Sequence, residues 1–235
     1  MMETVHFKSG GYTLAGTLHP PEAPPAPMVV GCHGLMADRN SPKQVGLAQA
    51  CCRRGIGYFR FDHRGCGDSQ GKFNQVTLLE DRQQDLLDAL QFVRSMGICN
   101  GKIGLFGSSL GGAVCLSVHD AVDAAALVTL AAPLHSRFSH AEDHHMKLSF
   151  DITRDIQGVK NIYILHGEKD EIVPLSHARM LHSHASHPKK LTIQPGGDHR
   201  MGDPIHQAAF IRESVDWFFK GFFRKFSVVS EPGNG

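Results

Sequence analysis

The sequence predicts an α/β fold built on a mostly parallel β-sheet with helices on both faces. Short apolar segments alternate with helical segments along most of the 235 residues, and this alternation is typical of a parallel sheet covered on both sides. One segment, residues 102–112, reads as a strand, a sharp turn and a helix, with Ser109 at the turn. A chain of this length can bury a core without covalent staples. We therefore expect residues 1–235 to form one domain.

Charge and composition argue against several classes of partner. Lys and Arg total 24 against 23 for Asp and Glu, so no basic excess favours a nucleic acid or an anionic membrane. No apolar run approaches the roughly 18 residues of a membrane span, and the polar N-terminus is unlike a signal peptide. Six cysteines without a Cys-x-x-Cys pair indicate reduced thiols. We expect a soluble, cytoplasmic protein with no membrane partner, in an oligomeric state that the sequence leaves open.

The first half of the chain predicts a hairpin and then alternating strands and helices. Ser9-Gly10-Gly11 is a turn signal between two short strands. In chain order we expect strands at 4–7, 12–18 and 28–32, a helix at 43–54, a strand at 58–62, a glycine-rich loop at 63–73 and a helix at 81–96. Apolar residues at helical intervals mark the buried face of that last helix: Leu79, Leu86, Leu90 and Val93.

The second half continues the alternation with one interruption. Strands are expected at 124–131, 162–165 and 190–194, and helices at 176–186 and 205–223. Residues 135–159 have weak periodicity, and loops of that length in compact domains are usually functional. We expect a small cap here, over the carboxyl ends of the strands. The alternative is an ordinary connecting helix with some surface loop.

Ser109 is the candidate nucleophile. It lies in a Gly-x-Ser-x-Gly pattern with Gly107 and Gly111. In a strand–turn–helix context, such a serine sits in strained backbone with its hydroxyl exposed, and the glycines let strand and helix pass closely. The alternative is a phosphate-binding turn. However, the segment lacks both the lysine of a P-loop and the Gly-x-Gly-x-x-Gly spacing.

Asp170 and His199 are the candidate partners of this serine. A serine hydroxyl needs an adjacent base, usually a histidine that a carboxylate orients. Both residues follow Ser109 in the chain, each where a predicted strand ends in a loop, and α/β sheets place catalytic groups there. Glu168 is the competing carboxylate. Asp198 is expected to shape the loop.

Two backbone amides are candidates for stabilising a developing oxyanion. One is the amide of Leu110, directly after the nucleophile. The other is the amide of Leu35 in His33-Gly34-Leu35, after the third strand. His33 is expected to support this loop rather than to catalyse.

The residues and motifs above resemble the α/β-hydrolase superfamily across nearly the whole chain. The run Phe61-Asp-His-Arg-Gly-Cys-Gly-Asp-Ser-Gln-Gly-Lys-Phe73 is similar to one in cinnamoyl/feruloyl esterases and related small carboxylesterases. Part of it also occurs in monoacylglycerol lipases and serine aminopeptidases. The resemblance implies an esterase with a serine triad and an acyl-enzyme intermediate. The cap here is about half as long as in those esterases, so its acyl-binding residues cannot be carried over. Within the run we expect hydrogen bonds that fix a tight loop, made by Asp62, Arg64, Asp68 and Ser69.

Two histidine groups and a phenylalanine-rich helix have alternative readings. Imidazoles three to five residues apart on a helix could bind zinc. However, His-Glu-x-x-His is absent and a serine triad needs no metal, so we expect no metal and no cofactor. The two groups are His140, Asp143, His144 and His145, and His182, His184 and His187. The aromatic residues at 218–223 could contact a membrane surface, but a terminal helix packed on the sheet is favoured.

The sequence therefore predicts a serine hydrolase of carboxylic esters with small to medium acyl groups, aromatic ones included. Amide, peptide or thioester cleavage would use the same residues, and only the pocket would differ. A non-catalytic binding module on this fold is the alternative from another class. Its signature would be a missing triad residue, and none is missing here.

Overall fold

Strands and helices alternate through the computed structural model, which describes residues 2–73, 78–139 and 147–223. The strands are β1 (Glu3–Ser9), β2 (Tyr12–His19), β3 (Ala26–Cys32), β4 (Gly57–Phe61), β5 (Cys99–Ser108), β6 (Ala126–Leu130), β7 (His135–Ser139), β8 (Lys147–Asp151), β9 (Ile162–Gly167) and β10 (Lys189–Gln194). The helices are α1 (Pro42–Cys52), α2 (Leu79–Ser95), α3 (Leu110–Ser117), α4 (His119–Val122), α5 (Leu175–His184) and α6 (Pro204–Phe223).

Eight of these strands form one sheet, in the order β1-β2-β4-β3-β5-β6-β9-β10. The β1–β2 and β2–β4 pairs are antiparallel, whereas all neighbours from β4 to β10 are parallel. The mostly parallel sheet that the sequence predicts is confirmed. Because parallel strands end at the same edge, the loops after β3, β5, β9 and β10 lie on one side of the sheet.

Two apolar layers cover the sheet. Helices α2, α3 and α5 bury side chains such as Leu86, Val114 and Leu181 on one face, and α1 and α6 bury Leu47 and Phe218 on the other. For α2, the helical periodicity of the sequence therefore identified the face that packs on the sheet. Burial of these side chains is the main favourable term in the stability of such a fold.

Several elements are longer than the periodicity predicts. Strand β3 begins at Ala26 rather than at residue 28, because the Ala26 amide donates a hydrogen bond to the Ile98 carbonyl, 3.0 Å away. Ala26 is also paired with Cys99, which begins β5. These extensions depend on pairing between distant segments, which local periodicity does not report.

Strands β7 and β8 occupy the segment that interrupts the alternation. They form a separate antiparallel pair, with His135 opposite Asp151. Residues 140–146 lie outside the described part of the chain. Within 135–139 and 147–159, the segment contains strands and turns, and the alternative of a connecting helix is not found there.

None of the helices within residues 2–73, 78–139 and 147–223 combines the length and the apolar character needed to cross a bilayer.

Candidate active site

Ser109 lies at the turn between β5 and α3. Its backbone has φ 53° and ψ −125°, a region that non-glycine residues rarely adopt, at a cost of about 1–3 kcal/mol. The turn is held by the Ser109 amide, which donates to the Leu130 carbonyl at 2.8 Å, and by the Ser109 carbonyl, which accepts from the Gly112 amide at 2.8 Å. The surrounding sheet therefore enforces the strained conformation that the motif predicts.

The glycines on either side of Ser109 allow close backbone contacts. A Cβ atom on Gly107 would lie 2.3 Å from the Gly111 carbonyl oxygen, and one on Gly111 would lie 2.4 Å from the Cys32 carbonyl oxygen. Real Cβ atoms essentially never come this close to backbone atoms. The close passage of strand and helix that the motif predicts is thus present.

A chain of hydrogen bonds joins Ser109, His199 and Asp170. His199, in the loop after β10, has Nε2 at 3.1 Å from the Ser109 Oγ. Its Nδ1 lies 2.8 Å from Oδ2 and 3.0 Å from Oδ1 of Asp170, in the loop after β9. With Nδ1–H donating to the carboxylate, Nε2 is free to accept the hydroxyl proton. The structure thus brings together the three side chains that the sequence nominated, 29 and 90 positions apart along the chain.

The Asp170 carboxylate is held in the charged form. Its side chain is only 1% exposed, and burial by itself would raise its pKa. The hydrogen bond from His199 and the amides of Val173 and Ile172, at 2.8 and 2.9 Å, outweigh burial and leave the pKa below its usual value. Asp170 is therefore an anion at neutral pH.

The competing carboxylates have other partners. Glu168 accepts the amide of Gly196 at 2.9 Å. Asp198 accepts the amide of Gly202 at 2.8 Å, which fits the loop-shaping role that the sequence suggested. Neither forms the side-chain contact to the His199 ring that Asp170 makes.

Leu35 and Leu110, whose amides are the oxyanion candidates, both line the cavity that contains Ser109. Leu110 is the first residue of α3, where backbone N–H groups have no partner within the helix. A Cβ atom on Gly34 would lie 3.3 Å from the Ser109 Cβ, so the loop after β3 passes directly beside the serine. The loop that contains Leu35 and the first residue of α3 thus both adjoin Ser109.

His33 supports this loop. Burial lowers the pKa of His33 well below its usual range, so the ring is neutral. Its Nδ1–H donates to the Gly34 carbonyl at 2.7 Å, and its Nε2 accepts the His63 amide at 3.1 Å. The supporting role predicted for His33 agrees with both contacts.

Arg82 is a residue near the site that the sequence reasoning missed. It is 1% exposed, and its guanidinium lies 3.4–3.5 Å from three consecutive carbonyls, those of His33, Gly34 and Leu35. By holding these carbonyls, Arg82 fixes the orientation of the peptide groups to which the loop amides belong. Arg82 lies on the apolar face of α2, three residues after Leu79. A charged residue on an otherwise apolar helix face was the sequence signal that could have identified Arg82.

The run after β4 forms the hydrogen-bonded loop that the sequence predicts. Asp62 accepts the amides of Arg39 and Asp68 at 2.7 and 3.0 Å and pairs with the Arg39 guanidinium. The Ser69 hydroxyl donates to the Asp62 carbonyl at 2.6 Å. These contacts fix the loop beside the site.

Arg64, the remaining residue of that run, pairs with two carboxylates of α2. Its guanidinium contacts Asp85 at 2.8 Å and Asp81 at 3.0 Å. Burial opposes ionisation of Asp85, but His63 and Arg64 more than compensate and lower its pKa to about 2. The sequence reasoning did not identify Asp85, although it too lies on the buried side of α2.

A cavity of about 860 Å³ opens beside Ser109 and His199. Its apolar lining includes Leu148 and Phe150 of β8 and the segment from Ile172 to Pro174. Other lining residues are polar or charged: Asp38, Asn40, Ser41, Lys43, His135, Ser136, His177, Arg200 and Gln207. Ligand pockets commonly combine a mostly apolar wall with a few polar groups in this way.

The histidine groups show no metal site where they can be described. His140, Asp143, His144 and His145 lie outside the described residues. His184 and His187 are exposed and His182 is partly buried. No group of three or more ligating side chains suited to a metal occurs among residues 2–73, 78–139 and 147–223.

Sequence comparison relates the chain to a hydrolase family. The profile of the family described as serine aminopeptidase, S33, matches residues 23–148. The uncharacterized protein YfhR of Escherichia coli (strain K12) is 30% identical over 213 residues, covering 84% of this chain and 73% of YfhR. The thiohydrolase aneE of Aspergillus aculeatus is 34% identical over 110 residues, covering 45% of this chain and 33% of aneE.

Structural comparison identifies the fold. Est1E from Butyrivibrio proteoclasticus, solved with ferulic acid bound, superimposes with a TM-score of 0.78 at 18% identity, covering 92% of this chain and 100% of that one. The mouse alpha/beta hydrolase domain-containing protein 10 gives a TM-score of 0.75 at 20% identity, covering 93% and 99%. Together with the sheet order, these similarities confirm the α/β-hydrolase fold.

Proposed function

Because this chain belongs to the serine aminopeptidase S33 family of α/β-hydrolases, we propose that it is a serine hydrolase acting on carboxylic esters. The observation that carries the proposal is the hydrogen-bonded chain from the Ser109 hydroxyl through His199 to Asp170. This arrangement supplies a nucleophile, a base and an anion that orients the base.

The reaction proceeds in two steps. The Ser109 Oγ attacks the acyl carbon while His199 Nε2 takes the hydroxyl proton, and Asp170 stabilises the resulting imidazolium. The Leu35 and Leu110 amides donate to the oxyanion. The tetrahedral intermediate collapses to the acyl-enzyme, and His199 gives its proton to the leaving alcohol. Water then attacks the acyl carbon with His199 again as the base, and the acid and free serine are released.

The cavity supports the proposal that the substrates carry small to medium acyl groups. Its volume of about 860 Å³ lies within the range of drug-sized ligand sites. Its apolar wall includes Phe150, which could contact an aromatic acyl group. The ferulic acid bound to Est1E favours including aromatic acyl groups in a substrate panel. As part of the same proposal, residues 135–159 act as a small cap on a single domain.

Thioester hydrolysis is a second candidate, because one matching protein is named a thiohydrolase. Amide cleavage is a third, because the family description names aminopeptidases. Both reactions would use the same three side chains, and they differ from ester hydrolysis in the leaving group. The three reactions are distinguished with a butyryl ester, a butyryl thioester and a butyryl anilide whose leaving groups share one aromatic skeleton. The values of kcat/KM for these substrates show which bond the protein cleaves best.

The first experiment is labelling of the purified protein with a fluorophosphonate probe, followed by intact-mass analysis, beside Ser109→Ala. We expect one adduct on the wild type and none on the variant, and a loss of kcat of about 10⁴–10⁶ in the variant. Circular dichroism of both proteins checks that they are folded. A folded wild-type protein that forms no adduct and cleaves no ester would contradict the proposal and favour a non-catalytic binding module.

A further inference from the structure

Lys43 is a charged residue in the cavity that the proposed mechanism does not use. It lies in the first turn of α1, is partly buried and lines the cavity beside Ser109. Its ammonium group has no hydrogen-bond or ion-pair partner among the residues that the structure describes. A lysine side chain that lines a ligand cavity and has no acceptor within the described protein has its three donors available to a bound anion.

The surroundings of Lys43 disfavour its charge. Burial lowers the pKa of Lys43, and the nearby Arg200 lowers it further, while Asp198 and Asp170 act in the opposite direction. Those two carboxylates are already engaged, with the Gly202 amide and with His199. The dipole of α1 also opposes a cation in its first turn, and that turn contains no acidic residue. A bound anion would offset all of these costs.

Two cations and one carboxylate line the cavity. Lys43 and Arg200 are its cations, and Asp38 is its single carboxylate among the described residues. Asp38 accepts the Asn40 amide at 2.6 Å. Lys43 and Arg200 are thus the lining groups that can bind a carboxylate, while the nearby Asp170 and Asp198, outside the lining, are engaged with His199 and with the Gly202 amide.

We propose that Lys43, assisted by Arg200, binds a carboxylate group carried by the substrate, so that this hydrolase acts on esters of acidic molecules. The inference rests on the proposed function of the same site. The carboxylate lies on a part of the substrate that does not react, and Lys43 therefore contributes to binding and specificity rather than to the chemical step. Such uniform binding lowers KM without raising kcat.

The test uses two pairs of esters that differ only in charge. On the acyl side, mono-4-nitrophenyl adipate is compared with its methyl ester. On the alcohol side, 4-carboxybenzyl butyrate is compared with its methyl ester. We expect the wild type to prefer the anionic member of at least one pair in kcat/KM, through KM, and this preference to weaken as ionic strength rises.

Variants assign the preference to Lys43. The ratio of kcat/KM for the anionic ester to that for its methyl ester should fall about tenfold in Lys43→Met. It should be largely restored in Lys43→Arg. Lys160→Met is the matched control, because Lys160 is exposed and outside this cavity, and it should leave the ratio unchanged. A wild type without preference in either pair, or a preference that persists in Lys43→Met, would overturn the inference.

A binding measurement separates this inference from the proposed function. Calorimetric titration of the four esters into Ser109→Ala needs no turnover. We expect tighter binding of one anionic ester than of its methyl ester, and loss of this difference in the Ser109→Ala, Lys43→Met double variant. If the wild type hydrolyses no ester, the proposed function fails, and the binding difference still decides the role of Lys43. Equal binding of both members of each pair overturns it.

Discussion

Asp170→Asn tests how the site controls the tautomer of His199. In the wild type, Oδ1 of Asp170 accepts the amides of Ile172 and Val173, at 2.9 and 2.8 Å, while Oδ2 lies 2.8 Å from His199 Nδ1. The asparagine carbonyl oxygen must take the place of Oδ1, because an NH₂ group there would face two N–H donors. The NH₂ group then replaces Oδ2 and donates to His199 Nδ1. The nearer contact to Nδ1 then comes from a donor, which favours the tautomer with its proton on Nε2, where it cannot accept the Ser109 proton. The carbonyl oxygen at the Oδ1 position, 3.0 Å from Nδ1, limits this preference.

The cost of escaping this arrangement sets the size of the effect. If the asparagine side chain flips to restore the active tautomer, its NH₂ group faces the exposed Ile172 amide and the part-buried Val173 amide, and leaving the latter unsatisfied costs about 1–3 kcal/mol. A cost of about 1–3 kcal/mol corresponds to a loss of about 5-fold to 160-fold, at 1.36 kcal/mol per tenfold. The variant also loses the negative charge that stabilises the imidazolium. We therefore expect kcat/KM to fall by about 10³–10⁴, in the range known for this substitution in a serine-protease triad.

The assay is hydrolysis of 4-nitrophenyl butyrate at neutral pH, with thermal unfolding measured for each variant. Nitrogen-15 NMR of the histidine rings should show one imidazole changing from the Nδ1–H to the Nε2–H tautomer. Glu168→Gln is the matched control, since that carboxylate accepts the Gly196 amide and should change kcat/KM by less than about threefold. An Asp170→Asn variant that is folded and within tenfold of wild-type activity would refute the reasoning.

Three further predictions concern the backbone of the turn, an ion-pair network and the loop after β3. Gly111→Ala should destabilise the protein by about 1–3 kcal/mol in urea unfolding and reduce activity, because the new Cβ would meet backbone carbonyls. Gly46→Ala, the helical control, meets only the end of the Ile211 side chain and should be far milder. The pKa of Asp85 is lowered from 3.8 to about 2, so its contribution of about 2 kcal/mol is complete above pH 4 and is lost as the pH falls toward 2; urea unfolding should show the wild type and Asp85→Asn converging over that range. Arg82→Met should keep the protein folded but lower kcat by about tenfold with little change in KM, because the loop amides lose their orientation while ground-state binding is retained.

Each of these has a contrary result. Equal unfolding free energies for the two glycine variants would show that the turn relaxes freely around a Cβ atom. A constant stability difference between wild type and Asp85→Asn from pH 5 to pH 2 would show that the carboxylate is not stabilised in its charged form. A change of KM alone in Arg82→Met would indicate that Arg82 affects substrate binding rather than the oxyanion loop.

The elements of this fold were largely determined by local sequence patterns. The strand–turn–helix around Ser109 follows from an apolar run, two flanking glycines and a helical apolar stretch, all within about a dozen residues. Asp170 and His199 could be nominated because each follows a strand, and parallel strands end at one edge of a sheet. Alternating periodicities predicted the sheet and both helical layers. Such features depend on residues close in sequence, which is the range over which periodicity and turn chemistry act.

Other features were decided by contacts between distant segments. Arg82 and Asp85 are polar residues on a helix face that otherwise reads as apolar, and only the fold shows which loops they hold. Strands β7 and β8 have weak periodicity, and their pairing gives the cavity part of its wall.

Lys43 had no distinguishing sequence signal at all. A lysine at the start of a helix is ordinary on a solvated surface, and it becomes unusual only because the chain folds it into the cavity beside Ser109 without a hydrogen bond or ion pair to a described residue. The sequence by itself therefore determined the scaffold and the identity of the candidate catalytic groups. The tertiary structure decided their orientation, the loop that supports them and the charge of the pocket, because hydrogen bonding and desolvation depend on neighbours that only the folded chain brings together.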